Sequence, residues 1–300
     1  MKKIVLVSAT LLLLISSCKE KKIVKTIVKN KNVTQIEKAK VSDAWIINRV
    51  EKTKQKFNNF GAGKVIWNAM EAHGGLQKWY ENGPISFRFN YQPIDGSVQR
   101  DTYQAIDTWR SKARHYLTGD STSQFGWDGK NAWLIAKDSS TFKYNTRFWS
   151  LTPYFFAGLP FVLDGNGVNL ELQQQKTFNG RLKDVVKVTF DEGTGDSPND
   201  YYVLYFDNIT HKMNVIRYIV SYPGYFKNGN HLPEKLMELF EEQIVDCIVF
   251  PKTYKTYWLT ENENSGEHIT DIKLSDIKFL PNLEKNHFKV PEGANISKEL

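Results

Sequence analysis

Cysteine is almost absent: the 300 residues contain only Cys18 and Cys247. Two thiols exclude a multi-bridge disulfide framework and a cysteine-built zinc site, so the fold must be held by its core. Cys247, in the apolar run QIVDCIVF, reads as a buried structural thiol. Catalytic signatures are missing too. There is no G-x-S-x-G elbow, no H-E-x-x-H, no Walker loop and no dinucleotide fingerprint. The six histidines, at 73, 115, 211, 231, 268 and 287, are scattered without metal-ligand spacing. No catalytic residue, metal site or cofactor is expected.

Two short stretches look catalytic only in isolation. His73-Gly74-Gly75 is similar to an oxyanion-hole segment but follows a helix, and Gly119-Asp120-Ser121 lies between strand candidates. They read as a helix stop and a hairpin turn.

Long apolar runs are equally scarce. FWSLTPYFFAGLPFVLDG, residues 148–165, is rich in large apolar side chains but contains Pro153, Gly158 and Pro160. It is also shorter than the roughly 20 residues a spanning helix needs. At the N-terminus, Lys2 and Lys3 precede IVLVSATLLLLISS and then Cys18, the pattern of a secretory signal over residues 1–17. Ile15-Ser16-Ser17-Cys18 resembles a bacterial lipobox, which implies a lipid-anchored chain whose acylated, palmitate-bearing residue is Cys18.

Residues 18–41 then form a lysine-rich tether. Its eight lysines and two glutamates supply +6 of the chain's net charge of +7, leaving the rest near neutral. A basic tether beside an acyl chain strengthens attachment to anionic lipid. A near-neutral globular part argues against a nucleic-acid partner.

Residues 42–300 read as a single β-rich domain. Helical patterning covers 43–57 and then GKVIWNAMEAHGG, with LQKWYENG as a last helical turn. From Ile85 the period changes to two. Ile85, Phe87, Phe89 and Tyr91 alternate with Ser86, Arg88 and Asn90. Further strands are expected at 98–106, 109–117, 131–137, 169–176, 184–190, 201–207, 213–222, 243–250, 252–259 and 268–279. Turns at Asp95-Gly96, Asp128-Gly129, Asn179-Gly180 and Asp207 to His211 join many of them. The class is α+β, mainly an antiparallel meander after N-terminal helices. Thr152 as N-cap, Pro153 at the first helical position and Gly158 as a stop predict a one- or two-turn helix that must pack on the sheet.

Several pieces then resemble one family. A helix ending in AHGG, the strand ISFRFNY, the hairpin FGWDGKNAWLI, the segment FFAGLPFVLDG, the hairpin YYVLYFDNITHKMNVIRYIVSY and the closing NHFKVPEG are together similar to the LolA/LolB-like lipoprotein carriers. The likeness is greatest to their outer-membrane lipoprotein relatives and covers residues 60–296. It implies a half-open curved β-barrel of about eleven strands, with short helices closing the concave side. It further implies a non-catalytic envelope lipoprotein of a Gram-negative bacterium, in the outer membrane, holding a lipid or acyl chain in the hollow.

The residues implied to line hollow and lid are Phe87, Phe89, Tyr91, Trp109, Trp133, Trp149, Phe155, Phe156, Leu159, Phe161 and Tyr218. Residues 222–231 are the candidate loop for pushing cargo into a membrane. Two alternatives remain: a scaffolding lipoprotein with a self-filled core and an envelope protein partner, or a hydrolase.

Overall fold

The computed structural model describes residues 37–222, 225–226 and 231–297. The signal segment, Cys18, most of the tether and six residues of the 222–231 loop lie outside them. Every described helix and strand belongs to one compact unit, Ile36–Leu300. Among the described residues no helix is long and apolar enough to cross a membrane.

Three helices open the unit: α1 (Asp43–Asn58), α2 (Gly61–Ala72) and α3 (Leu76–Asn82). Ser42 caps α1, its hydroxyl accepting from the Trp45 amide at 3.2 Å. In α2, Ala62, Ile66, Ala69 and Met70 recur at helical spacing and are all buried. A Cβ on Gly63 would lie 2.3 Å from the Phe57 carbonyl, so glycine is what lets α2 start against the end of α1. The AHGG ending has a similar cause. Gly74 has φ +116°, and a side chain there would meet the Cys247 carbonyl.

Thirteen strands follow, all antiparallel to their neighbours. They are β1 (Ile85–Pro93), β2 (Arg100–Asp107), β3 (Lys112–Leu117), β4 (Asp120–Trp127), β5 (Ala132–Ile135), β6 (Val168–Phe178), β7 (Arg181–Phe190), β8 (Tyr202–Asp207), β9 (Met213–Tyr218), β10 (Lys235–Val245), β11 (Ile248–Leu259), β12 (Ser265–Phe279) and β13 (Asn295–Ser297). The order is β13-β5-β4-β3-β2-β1-β12-β11-β10-β9-β8-β7-β6. Pairing of β1 with β12 joins the two halves of the chain, while β13 and β6 do not pair, leaving the barrel half-open.

Two strands exceed the expected eleven. β4 has a polar first half, Asp120 to Gln124, that hides its alternation, and β13 is only three residues long. The candidate strand 243–250 spans a turn at Asp246-Cys247, where both residues have positive φ. Cys247 is therefore a half-buried turn residue, not a core thiol.

Alternation assigns the two faces. Ile85, Phe87 and Phe89 point inward, and so do Ile106 opposite Ile85 and, one strand further, His115 opposite Gln104. The main core fills this concave side. A smaller apolar cluster of Phe178, Val185, Val203, Tyr205, Val215 and Leu236 covers part of the outer face.

Between β5 and β6 the chain crosses the hollow as α4 (Thr146–Trp149), α5 (Thr152–Gly158) and a 3-10 turn at Phe161–Asp164. The N-cap of α5 is Leu151, one residue earlier than expected, and Thr152 donates its hydroxyl back to the Phe148 carbonyl at 2.6 Å. Pro153 sits in the first turn as its fixed φ favours.

This strap is tied at both ends. At its start, His115 Nε2 donates to the Ser150 carbonyl at 2.9 Å. At its end, the Asp164 carboxylate accepts from Arg49 Nε and from the Tyr80 hydroxyl, both at 2.6 Å.

His115 makes the strap sensitive to acid. A carbonyl can only accept, so Nε2 carries the ring proton and Nδ1 accepts from the Thr102 hydroxyl, 3.2 Å away. The ring stacks on Phe125 at 4.3 Å and is fully buried; that burial depresses its pKa from 6.5 to about 4. Between those values the unfolded chain takes up a proton that the folded ring refuses. Stability is therefore expected to fall by about 3 kcal/mol for this group as pH drops from 6.5 to 4. Denaturant titrations across this range check the slope, which His115→Gln should reduce. His287, also lowered to about 4 by burial, would supply part of what remains.

Candidate ligand-binding hollow

Beneath the strap lies a cavity of about 790 Å³. That is within the roughly 300–1,000 Å³ of small-molecule sites. Eight of the residues expected from the sequence line it: Phe89, Tyr91, Trp109, Trp149, Phe155, Phe156, Phe161 and Tyr218. Phe87 and Leu159 sit in the core and not on the wall. Trp133 lies on the convex side of the sheet, where it is nonetheless buried, because its β4 partner is Gly126 while Phe125 and Trp127 are the inward residues. There it lies under the Arg114 guanidinium, 5.5 Å from its ring.

Rings make up much of the wall. Phe155 meets Tyr202 at 4.5 Å, Tyr202 stacks on Tyr218 at 5.9 Å, and Phe156 meets Tyr218 edge-on at 5.4 Å. Trp79 and Phe161 stack at 4.7 Å and 9°. Burial raises the hydroxyl pKa values of Tyr154, Tyr202, Tyr218 and Tyr254 above the ordinary tyrosine value, so these rings stay neutral.

The polar residues of the wall were not foreseen from the sequence. Arg49, Asp164 and Tyr80 form a closed group through the two contacts already given. Arg147 lies 3.4 Å over the Trp127 ring and pairs with Asp196, but one of its terminal nitrogens is buried without an acceptor. Asp200 is satisfied by the Ser221 amide and hydroxyl at 2.6 and 2.7 Å.

Arg100 and Lys235 are different. The Arg100 guanidinium sits 4.7 Å from the Trp149 ring and 4.9 Å from Tyr91, and its Nε is buried without an acceptor. It donates to the Val98 carbonyl and has no ion pair among the described residues. Lys235 Nζ lies 5.3 Å from the Trp258 ring and 6.0 Å from Tyr218, again without a carboxylate partner among the described residues. Burial, and secondarily the Arg100 charge, bring its pKa down to about 8.

One signal for Lys235 was present in the sequence: in KLMELF it alternates with Leu236 and shares a face with Met237. Arg100 follows a loop, and nothing in its neighbourhood marks it.

Thirteen antiparallel strands, open at both edges and crossed on the concave side by a helical strap, define a LolA-like fold. More particularly, the chain belongs to a family of unknown function (DUF6503), whose model matches residues 114–273. No curated protein matches. Among solved structures, the chain is similar to a DUF1329 family protein from Desulfovibrio piger at 12% identity and a TM-score of 0.50, covering 76% of this chain and 97% of that one. It is also similar to a LolA superfamily protein from Nitrosomonas europaea at 10% identity and a TM-score of 0.49, with the same coverage. These are likenesses of fold.

Proposed function

We propose that this protein is a lipid-anchored envelope lipoprotein that holds a lipid or acyl chain in its hollow without transforming it. The cavity carries this reading: about 790 Å³ of space in which neutral rings make up much of the wall. An apolar chain entering a hollow of that size takes its own surface and the ring surface out of water. Among the described residues, the wall offers no arrangement of nucleophile, base and orienting group. Asp164 and Asp200 are engaged in structural hydrogen bonds, and His115 is held in one tautomer by the strap. Anchoring is assigned to Cys18, and the lysine-rich tether would add attraction to anionic lipid. The outer membrane of a Gram-negative cell is the site this reading favours.

Residues 36–300 contain every described element, so they can be purified apart from the tether. Organic extraction of that unit followed by mass spectrometry is expected to yield about one lipid molecule per chain. A delipidated sample is expected to brighten the uncharged fluorophore 1-N-phenylnaphthylamine. A protein that neither carries lipid nor binds this probe would return the scaffolding alternative. For the anchor, metabolic labelling with palmitate should mark the full chain and not Cys18→Ser.

A further inference from the structure

We infer that the hollow selects an amphiphile with an anionic head, a carboxylate or phosphate, and that Arg100 and Lys235 receive the head while the ring-walled remainder takes the chain. This rests on the lipid-holding reading above and adds the chemistry of the ligand's polar end.

Two cations in one largely apolar cavity repel each other and each has lost water. Proteins ordinarily offset such a charge with a carboxylate, as Asp164 does for Arg49 in the same wall. Arg100 and Lys235 have no such partner among the described residues. Rings attract them, with Tyr91 and Trp149 around Arg100 and Tyr218 and Trp258 around Lys235, but rings leave N–H groups unsatisfied. Arg100 Nε is a buried donor without an acceptor, and the Lys235 ammonium adds further N–H groups. An anionic head supplies both the missing charge and the missing acceptors.

A chain runs naturally from there along Tyr218 to Phe156 and Phe155, which are linked by ring contacts of 5.4 and 5.9 Å. The strap residues therefore meet the chain, and the lysine at the start of β10 meets the head.

The test compares four probes on delipidated residues 36–300 by isothermal titration calorimetry: palmitate, 1-palmitoyl-lysophosphatidate, hexadecanol and inorganic phosphate. Both anionic amphiphiles are expected to bind at least tenfold more tightly than hexadecanol. Lys235→Met, which keeps the stem over Tyr218 and Trp258, should weaken palmitate ten- to a hundredfold, the range of a charged hydrogen bond. It should leave hexadecanol within about twofold, which also shows that the variant is folded. Arg100→Met should act in the same direction.

Equal binding of palmitate and hexadecanol would overturn the inference and leave the lipid-holding reading intact. Phosphate binding as tightly as lysophosphatidate would assign the cations to a free anion and overturn it too. Failure of all three chain-bearing probes would instead remove the reading on which it rests.

Discussion

Trp79→Ala is expected to cost about 3 to 5 kcal/mol of folding stability, the range for removing a large buried aromatic. Trp79 is 1% exposed and lies where three parts of the molecule meet. Carried on α3, it stacks on Phe161 of the strap at 4.7 Å, meets Phe279 at the end of β12 edge-on at 5.9 Å, and reaches Phe250 of β11 at 6.3 Å. Its loss opens a void that the flanking strands are poorly placed to close, since β11 and β12 are hydrogen-bonded on both sides. Domains commonly have only about 5 to 15 kcal/mol in hand, so the variant should be marginal. Guanidinium denaturation of residues 36–300 measures it. Phe161→Ala should cost less, because it leaves the contacts of Trp79 with the sheet in place. The double variant should fall short of the sum by the worth of the stack, about 0.5 to 1.5 kcal/mol. A loss below 1 kcal/mol for Trp79→Ala would mean that strap and sheet are held together by other contacts.

The neighbourhood of Trp79 also shows how legible this molecule was. The helix carrying it was read from LQKWYENG, and the glycine pair before it from AHGG, because a period of 3.6 and a backbone needing positive φ leave plain traces in a sequence. Phe89 and Tyr91 were placed inward by clean alternation. Trp133 was not: it lies between Ala132 and Leu134, so an apolar run gives no phase, and a one-residue choice of register decides the face. The first half of β10 was missed for a related reason. Glu238, Glu241 and Glu242 make KLMELFEE look like a charged loop, and a positive φ at Glu241 breaks the alternation before the candidate strand at 243 begins. Missing that half concealed Lys235 and the polar end of the hollow. Asp164 is the lone charge of the apolar segment 148–165, but its partners Arg49 and Tyr80 are 115 and 84 residues away, beyond what local pattern can reach.

Phe155→Asp is expected to lower affinity for 1-N-phenylnaphthylamine or palmitate by about a hundredfold while the protein stays folded. Phe155 is the strap residue best suited to this test. It is half-buried on the cavity wall, whereas Phe156 is a core residue wedged between Tyr202 and Tyr218, with its carbonyl near the Tyr254 hydroxyl. An aspartate at 156 would bury a charge without a partner and unfold the strap, so a double substitution would confuse binding with stability. At 155 the carboxylate can reach water when the hollow is empty, and desolvation is imposed only when a chain arrives. The apolar surface that Phe155 offers the chain is lost as well, so two penalties of about 1 to 2 kcal/mol each act on the bound state. Phe155→Leu should bind within a few-fold of the parent, because it restores an apolar surface. Thermal melts of both variants accompany the titrations. Unaltered binding by Phe155→Asp would place the chain away from the strap. Unfolding by Phe155→Asp but not by Phe155→Leu would identify the strap as a permanent plug, for then the hollow is never empty enough to admit water beside residue 155.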